Sequence, residues 1–430
     1  MIRSLRKVLK PASYITEIQD PDEIKTSYKY WRIRIFYSLF LGYTFFYFTR
    51  KNYALIMLYL SQELGFTFSE LGIIGSVFYI CYGISKFLSG VLCDRSNPRF
   101  FMAIGLILTG ILNVLFAMSS SILTFSIVWG LNGVFQAWGW PACCKQLNYW
   151  FAKQERGLWY GICSTSHNVG GAIIPLISVY CAIHFGWRYA LYVPALMSIG
   201  MGLFLINRLR DVPQSMGLPP IERHKPTPGQ KITDCENENG SSLQPNILSA
   251  KEIMFKQVLC NKYVWIFSIS YFFVYVVRTA INDWTIPYLV QEKLFGDMLA
   301  GWGVTLFEAG GVVGMIAAGW GSDYFCKGNR VPAMVVCAIG LIFAVLALWC
   351  TPANHPALDL TYLTLIGLFV YGPQMIVGLA AAEFVDKRAA SASNGFSGTL
   401  GYFGAASAGY PLGVIIDVWG WDGFFMALMV

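Results

Sequence analysis

The sequence predicts an all-α integral membrane protein made of two six-helix lobes. Three observations lead to this fold class: an apolar composition, apolar runs of helical length along the chain, and landmarks that recur at one fixed spacing. The chain is 56% hydrophobic and only 13% charged, whereas a soluble domain carries about 25% charged residues. Most of the chain is therefore expected to lie within a bilayer.

Apolar runs of about 18 or more residues predict helices that cross a hydrocarbon layer about 30 Å thick. Eleven complete spans are predicted, at residues 33–59, 70–92, 100–118, 121–143, 157–183, 187–207, 263–290, 300–321, 332–350, 359–383 and 390–418. A twelfth is predicted to begin near Trp421, shortly before the sequence ends at Val430. Because a ten-residue helix rises only about 15 Å, this last helix is expected to be truncated.

The net charge of +7 follows the positive-inside pattern. Of the 31 Lys and Arg residues, eight precede residue 35, eight lie between Arg208 and Lys262, and nine lie in alternate short loops of the same predicted side. The opposite side holds only Arg188 and Lys293. The N-terminus and the central loop are therefore predicted to be cytoplasmic. This distribution argues against a nucleic-acid partner, and the polar first 30 residues contain no apolar core of a cleavable signal.

The chain is predicted to be an internal duplication. The string that begins at Gly90 after the second span has a counterpart that begins at Gly319 after the eighth, 229 residues later, and Arg50 and Arg278 are 228 residues apart. Parallel six-helix repeats are typical of two-lobed carriers whose substrate lies between the lobes. The predicted parts are a cytoplasmic tail (1–32), an N-terminal lobe (33–207), a mobile cytoplasmic linker rich in Pro, Ser, Asn and charge (208–262), and a C-terminal lobe (263–430).

Arg50 and Arg278 are the residues that point to a function. Each lies near the middle of an apolar span, where a charge costs about 2.5–3.5 kcal/mol to insert. The guanidinium fork suits the oxygens of phosphate or carboxylate, so the two arginines are expected to clamp one dianionic group between the lobes. The alternative is that each pairs with a carboxylate and only holds helices together. Tyr43 and Tyr47 precede Arg50 by seven and three residues, and Tyr275 precedes Arg278 by three, near the same helix face.

Five further ionisable residues lie inside the predicted spans. Lys51 and Asp283 are expected to form an inter-lobe salt bridge that breaks as the lobes rock, or else a static pair. Lys86 either lines the cavity or snorkels to an interface. His167 either titrates near neutral pH or makes a helix–helix hydrogen bond. Glu308 is the expected acidic partner of His167 or of an arginine in the empty site.

The loop from Gly90 to Arg99 has the pattern Gly-x-x-x-Asp-Arg-x-x-x-Arg, which resembles the signature of the major facilitator superfamily. The strings YFTRKNYALIMLYL, WGWPACCKQLNYWFAKQERG, STSHNVGGAIIP and YVVRTAINDW resemble the organophosphate:phosphate antiporter family, over nearly all of residues 33–430. Within that family the chain is most similar to bacterial hexose-phosphate transport and sensor proteins. The resemblance implies the major facilitator superfamily fold, in a bacterial inner membrane. Asp94 and Arg95, with Asp323 in the second repeat, are expected to hold one gating state.

The resemblance also assigns residues to roles. It implies that Arg50 and Arg278 bind phosphate, and that His167 and Lys86 line the cavity. The salt-bridge groups match Lys51, Asp283 and Glu308, and the cavity tyrosines match Tyr43, Tyr47, Tyr275, Tyr371 and Tyr402. Some hexose-phosphate carriers have an Asp and a Lys in span eleven, and this chain departs from them with the uncharged Asn394 and Ser397.

The implied function is uptake of a sugar phosphate, such as glucose 6-phosphate, in exchange for inorganic phosphate by alternating access. The protein is expected to act as a monomer without cofactor or metal. The alternative is a membrane receptor that senses hexose phosphate and signals to a partner kinase. An enzyme is not expected, because no nucleophile, base and metal set converges in any span and no Walker-type phosphate loop is present. The eleven cysteines fall mostly in or beside spans, so no disulfide framework is predicted.

Overall fold

The computed structural model describes residues 9–94, 96–225, 258–325, 330–383 and 390–429, and for a few of these the backbone alone. Helices dominate the described residues, and no strand occurs among them. The N-terminal lobe contains α1 (Pro21–Lys51), α2 (Tyr53–Leu64), α3 (Phe68–Asp94), α4 (Pro98–Ala117), α5 (Ile122–Gln136), α6 (Gly139–Trp150), α7 (Lys153–Phe185) and α8 (Tyr189–Arg208), followed by the short α9 (Ile221–His224). The C-terminal lobe contains α10 (Lys262–Gln291), α11 (Asp297–Tyr324), α12 (Arg330–Cys350), α13 (Pro356–Glu383), α14 (Ala390–Ser407) and α15 (Tyr410–Met429). The predicted all-α class is confirmed.

The helix starts carry the expected capping residues. Asp20 accepts a hydrogen bond from the backbone N–H of Asp22 at 3.0 Å, and Pro21 opens α1. Asn97 caps α4 in the same way, ahead of Pro98. A polar cap satisfies N–H groups that have no intrahelical partner, and proline at the first position has no N–H to satisfy. The sequence therefore determines where these helices begin.

Two predicted spans of the N-terminal lobe are split into pairs of helices, and the span at 390–418 is interrupted at residues 408–409 between α14 and α15. The span at 33–59 becomes α1 and α2, and the span at 121–143 becomes α5 and α6. Within the described part of the chain, nine stretches are long and apolar enough to cross a membrane. These two spans are not among the nine, and the last stretch (395–429) runs through the predicted eleventh span into the twelfth. A positive φ of 65° at Gly420 marks the turn into that twelfth helix.

The first part of the predicted linker packs on the N-terminal lobe. The backbone N–H of Ile18 donates to the carbonyl of Gly217 at 2.8 Å. Trp150 donates from Nε1 to the carbonyl of Asp211 at 3.1 Å, and the Asp211 carboxylate accepts from Ala12 N at 2.8 Å. Residues 209–225 therefore belong structurally to this lobe, and the remainder of the predicted linker up to residue 257 lies outside the described residues.

The lobes meet at the ends of their helices that lie opposite the N-terminus. Asp417 of α15 accepts hydrogen bonds from the backbone N–H groups of Phe68 and Ser69, at 3.0 and 2.7 Å, and so caps α3 from the other lobe. Tyr59 donates to Asp297 at 2.6 Å in the same region. A helix N-terminus attracts negative charge, so the Asp417 contact holds the lobes together on this side.

Candidate functional site

Arg50 lies at an interruption of the first membrane helix. α1 ends at Lys51 and α2 begins at Tyr53, with Asn52 between them. The backbone of Asn52 keeps helical dihedral angles, φ −63° and ψ −20°. The chain therefore keeps a helical course through the interruption, and Arg50 lies in the last turn before it.

Side chains of two neighbouring helices, α4 and α5, donate hydrogen bonds to the backbone carbonyl groups beside this interruption. Asn113 of α4 and Asn132 of α5 each donate from Nδ2 to the carbonyl oxygen of Thr49 at 2.9 Å. Gln136 donates from Nε2 to the carbonyl of Phe46 at 2.9 Å. All five residues are buried, and buried carbonyls at a break need such partners. We refer to Asn113, Asn132 and Gln136 as the carboxamide cradle.

The guanidinium of Arg50 is surrounded by aromatic rings. Arg50 is 7% exposed, and its Cζ atom lies 4.9 Å from the ring centre of Tyr82 and 5.4 Å from that of Tyr47. Tyr402 of the C-terminal lobe lies 5.6 Å away and packs against Tyr82 with ring centres 4.2 Å apart. Tyr79 also contacts the guanidinium, at 5.5 Å. Aromatic faces attract a cation but do not neutralise it.

Arg278 has a similar environment in the C-terminal lobe. It is 5% exposed, and its Cζ atom lies 4.7 Å from the ring centre of Tyr371 and 5.4 Å from that of Tyr275. Tyr275 packs against Tyr402, whose ring also contacts Arg50, with ring centres 5.3 Å apart. The two arginines therefore share one tyrosine-lined region between the lobes.

Neither arginine forms an ion pair with a carboxylate in the part of the chain that the structure describes. The Nε atoms of Arg50 and Arg278 are buried without a hydrogen-bond partner among those residues. The described residues therefore do not show the alternative arrangement, in which each arginine pairs with a carboxylate. A buried donor without a partner is costly, which favours an anionic occupant.

The inter-lobe ion pair differs from the one expected. Lys51 lies 3.7 Å from Oε1 of Glu308, and both side chains of the pair are buried; no ion pair joins Lys51 to Asp283 among the described residues. Glu308 also accepts hydrogen bonds from Asn282 at 2.8 Å and from Asn168 at 2.9 Å. Asp283 instead accepts from the hydroxyl of Tyr79, across the lobe boundary, at 2.7 Å.

Close helix packing explains why Glu308 lies within reach of Lys51. A Cβ atom at Gly171 of α7 would lie 2.9 Å from the carboxylate of Glu308. Only glycine therefore leaves room for Glu308 at this crossing of the two lobes. The Glu308 carboxylate also accepts from the hydroxyl of Tyr371 at 2.7 Å, which connects the ion pair to the ring beside Arg278.

The remaining predicted cavity residues occupy different layers. Nδ1 of His167 contacts the backbone carbonyl of Ser164, and its Nε2 atom is buried without a partner among the described residues. The ring of His167 lies 5.6 Å from that of Tyr47 and 6.0 Å from that of Tyr371, so it lines the site and does not bind Glu308 directly. Lys86 reaches across the lobe boundary, with Nζ 4.9 Å from the ring centre of Tyr402.

Tyr43 lies one layer behind the site. Its ring contacts Tyr47 at 5.7 Å and Trp140 at 5.2 Å. Three of the predicted gating groups are not described: Arg95, and the side chains of Asp94 and Asp323. The predicted position Asn394 lies outside the described side chains as well.

Several residues of the site were not predicted. Tyr79 and Tyr82 were missed, although they precede Lys86 by seven and four residues and so share its helix face. Asn168 and Asn282 were missed although each directly neighbours a predicted residue. Among the described residues, no group of three or more His, Cys, Asp or Glu side chains is arranged to hold a metal ion.

Two lobes of membrane helices that enclose buried cations are the arrangement typical of membrane transport proteins. The sequence model of the Major Facilitator Superfamily matches residues 39–409. The probable hexose phosphate transport protein of Chlamydia pneumoniae is 52% identical over 425 residues, which cover 98% of this chain and 93% of that protein. The chain belongs to the major facilitator superfamily and, within it, to the organophosphate:phosphate antiporter family.

Two other comparisons extend this result. The membrane sensor protein UhpC of Escherichia coli strain K12 is 43% identical over 414 residues, which cover 96% of this chain and 92% of that protein. Among solved structures, a bacterial homologue of the human lysosomal transporter Spinster, inward-facing and unoccupied, superimposes with a TM-score of 0.72 at 16% identity. That match covers 90% of this chain and 82% of the other, and it shows the shared fold.

Proposed function

We propose that this chain exchanges a hexose phosphate for inorganic phosphate across a bacterial inner membrane, as a monomer with its N-terminus in the cytoplasm. The observation that carries this proposal is the pair of buried guanidinium groups, Arg50 and Arg278, which have aromatic neighbours and no described carboxylate partner. The similarity to the Chlamydia hexose phosphate transport protein supports the substrate class. The charge distribution supports the orientation.

The charges around the site favour a dianion. The four cations are Arg50, Lys51, Lys86 and Arg278, and the two carboxylates are Asp283 and Glu308. With His167 neutral, the site carries a net charge of +2. A phosphate monoester carries about −1.5 to −2 at neutral pH. Either substrate of the proposed exchange therefore neutralises the site.

Neutralisation also gives a reason for obligatory exchange. In the absence of an anion, two guanidinium groups on facing lobes repel each other, and burial makes this repulsion stronger than in water. Bound phosphate removes the repulsion and permits the lobes to approach. The empty protein is then slow to reorient, so after phosphate has left on one side another phosphate or phosphate ester must bind there before the site returns.

Uptake by proteoliposomes tests the exchange. Vesicles containing the full chain are loaded with inorganic phosphate or left without it, and labelled glucose 6-phosphate is added outside. Uptake is expected only with internal phosphate. Equal uptake without internal phosphate would show that transport is not an exchange.

Lysine substitutions test the clamp. Arg50→Lys and Arg278→Lys keep the charge but lose the planar fork of donors, so each is expected to abolish uptake. Arg208→Lys, at the end of α8 outside the site, is the matched control and is expected to retain it. Normal uptake by either site variant would contradict the proposal that both arginines bind the phosphate.

A second candidate is a hexose-phosphate receptor that signals to a partner kinase. The 43% identity to the Escherichia coli sensor favours it. Ser397 favours it too, because this position is uncharged here but charged in some carriers of the family. Its hydroxyl shares a 2.7 Å hydrogen bond with that of Ser268. The two candidates differ in flux. Growth on a hexose phosphate by a cell that expresses this chain as its one route of entry supports transport, whereas binding without growth supports the receptor.

A further inference from the structure

A groove outside the proposed transport site lies between the first turns of α1, the start of α7 and residues 209–225, which follow α8. Its volume is about 1180 Å³, and its lining includes Lys25, Lys29, Arg32, Phe36, Trp159 and Lys225. We call it the basic groove. It lies at the end of the N-terminal lobe that carries the predicted cytoplasmic excess of positive charge, far along α1 from Arg50.

One end of the basic groove carries excess positive charge. Lys225 lies 3.2 Å from the carboxylate of Glu155, and Arg32 contacts the same carboxylate. Lys25 and Lys29 are exposed and make no ion pair with any residue that the structure describes. The lining also contains Asp22, so its four Lys and Arg side chains face two carboxylates, Asp22 and Glu155, and leave a net charge of +2. The buried Nε atom of Arg32 also has no hydrogen-bond partner among those residues. This end is therefore suited to an anion.

The other end of the groove is aromatic. The rings of Phe36 and Trp159 lie 4.5 Å apart, and Phe151 packs against Trp159 at 4.9 Å. The guanidinium of Arg32 lies 4.7 Å from the ring centre of Phe151, at the boundary between the charged and the apolar end. Aromatic side chains in such positions are typical of the level where a bilayer meets water.

The order of residues along α1 matches the depth of a bilayer. Lys25, Lys29, Arg32 and Phe36 recur at spacings of three or four and so share one helix face. At 1.5 Å per residue, Lys25 and Phe36 are about 16 Å apart along the helix. The predicted membrane span begins at residue 33. Relative to this predicted boundary, the lysines fall at headgroup level, and the aromatic end falls at the start of the acyl chains.

We propose that the basic groove binds an anionic glycerophospholipid of the cytoplasmic leaflet. A negatively charged headgroup fits between Lys25, Lys29 and Arg32, and the first acyl segments cover Phe36 and Trp159. A soluble anion such as inorganic phosphate matches the charged end alone. Basic sites on the cytoplasmic side of membrane proteins recognise anionic headgroups through this combination of charge and depth. The lipid would connect α1, which carries Arg50, with α7, which carries His167.

The test uses the full chain in lipid nanodiscs with spin-labelled phosphatidylglycerol or phosphatidylcholine. The fraction of labelled lipid immobilised on the protein is measured for the parent, for the double variant Lys25→Gln/Lys29→Gln, and for the control Lys10→Gln/Lys262→Gln. The control removes the same two charges from exposed positions on the same predicted side, outside the groove. Size-exclusion profiles and glucose 6-phosphate uptake check that both variants are folded.

The parent and the control are expected to prefer phosphatidylglycerol. The groove variant is expected to lose this preference by roughly fivefold for each lysine removed. Equal preference in the parent and the groove variant, or an equal loss in both double variants, would overturn the proposal. Displacement of the immobilised lipid by inorganic phosphate, but not by chloride at the same ionic strength, would show a soluble-anion site and would overturn the assignment to a lipid.

Discussion

Replacing Asn113 by leucine is expected to destabilise the N-terminal lobe more than replacing Asn132 by leucine. Both side chains are fully buried and donate to the carbonyl of Thr49 at 2.9 Å. Asn113 also donates to the carbonyl of Thr109 and accepts from Nδ2 of Asn52, each at 2.9 Å. The Oδ1 atom of Asn132 has no partner among the described residues. The two substitutions therefore differ by two hydrogen bonds.

The expected magnitudes follow from this count. A hydrogen bond between membrane helices contributes about 0.6 kcal/mol on average and about 1.7 kcal/mol at most. Asn113→Leu removes three bonds and should lower the free energy of unfolding by about 2 kcal/mol. Asn132→Leu removes one bond together with a buried acceptor that has no partner, and its cost should stay below about 1 kcal/mol.

Unfolding in mixed micelles with an increasing mole fraction of dodecyl sulfate, followed by circular dichroism, measures this difference. The half-saturation concentration for phosphate is measured on the same variants in proteoliposomes. It is expected to rise with both variants, because both side chains donate to the carbonyl of Thr49 and Arg50 directly follows Thr49, and to rise more with Asn113→Leu, which loses more hydrogen bonds. An equal or larger cost for Asn132→Leu would refute the reasoning from bond count.

Asp417→Asn removes the charge that caps α3 from the other lobe, so closure on that side should weaken by about 0.3–1 kcal/mol, measured as faster alkylation of a cysteine introduced there. Tyr371→Phe loses the hydrogen bond to Glu308 but keeps its ring, and half-saturation for phosphate should rise by roughly fivefold. Burial tends to raise the pKa of Glu155, but the hydrogen bond and charge of Arg32 outweigh it and hold the pKa below its usual range. The contacts of ionised Glu155 should therefore stabilise the packing of residues 209–225 at neutral pH and be lost as the pH falls through the lowered pKa. Hydrogen exchange of the backbone amides in residues 209–225 measures this loss, and Glu155→Gln should abolish its pH dependence. Unchanged alkylation, half-saturation or exchange would contradict the respective contact.

The helical class and the two arginines were predictable from the sequence because they depend on composition and on a repeat. An apolar run of sufficient length has few structures available in a bilayer, and Arg50 and Arg278 share an offset with other landmarks. The break at Asn52 was not predictable in this way. The run from residue 33 to residue 59 is apolar on both sides of it, and its support comes from Asn113 and Asn132, which lie on other helices.

The partner of Lys51 was not predictable for a similar reason. Asp283 follows Arg278 by five residues and has the right charge, so sequence distance favours it over Glu308. In the structure, Asp283 accepts a hydrogen bond from the hydroxyl of Tyr79, and Lys51 forms an ion pair with Glu308. The choice depends on how closely α7 and α11 approach at Gly171, a distance that no local pattern in either helix encodes.

The two arginines have equivalent positions but different supports. At the offset of 228 residues, the cradle donors Asn113 and Asn132 correspond to Leu341 and Leu360, which have no hydrogen-bond donor in the side chain. The backbone beside Arg50 is therefore held by a cradle built entirely within its own lobe, which needs no contact with the other lobe.

Arg278 lies on a continuous helix, and its surroundings depend on the opposite lobe. Tyr371 beside it donates to Glu308, and Glu308 pairs with Lys51 across the boundary. In the proposed exchange, separation of the lobes would break this connection and leave the carboxamide cradle in place. In the proposed clamp, Arg50 is then the fixed contact to phosphate, and Arg278 is the contact whose geometry changes as the lobes move. Loss of the Lys51 pair should accordingly alter the rate of reorientation more than the binding of phosphate to Arg50.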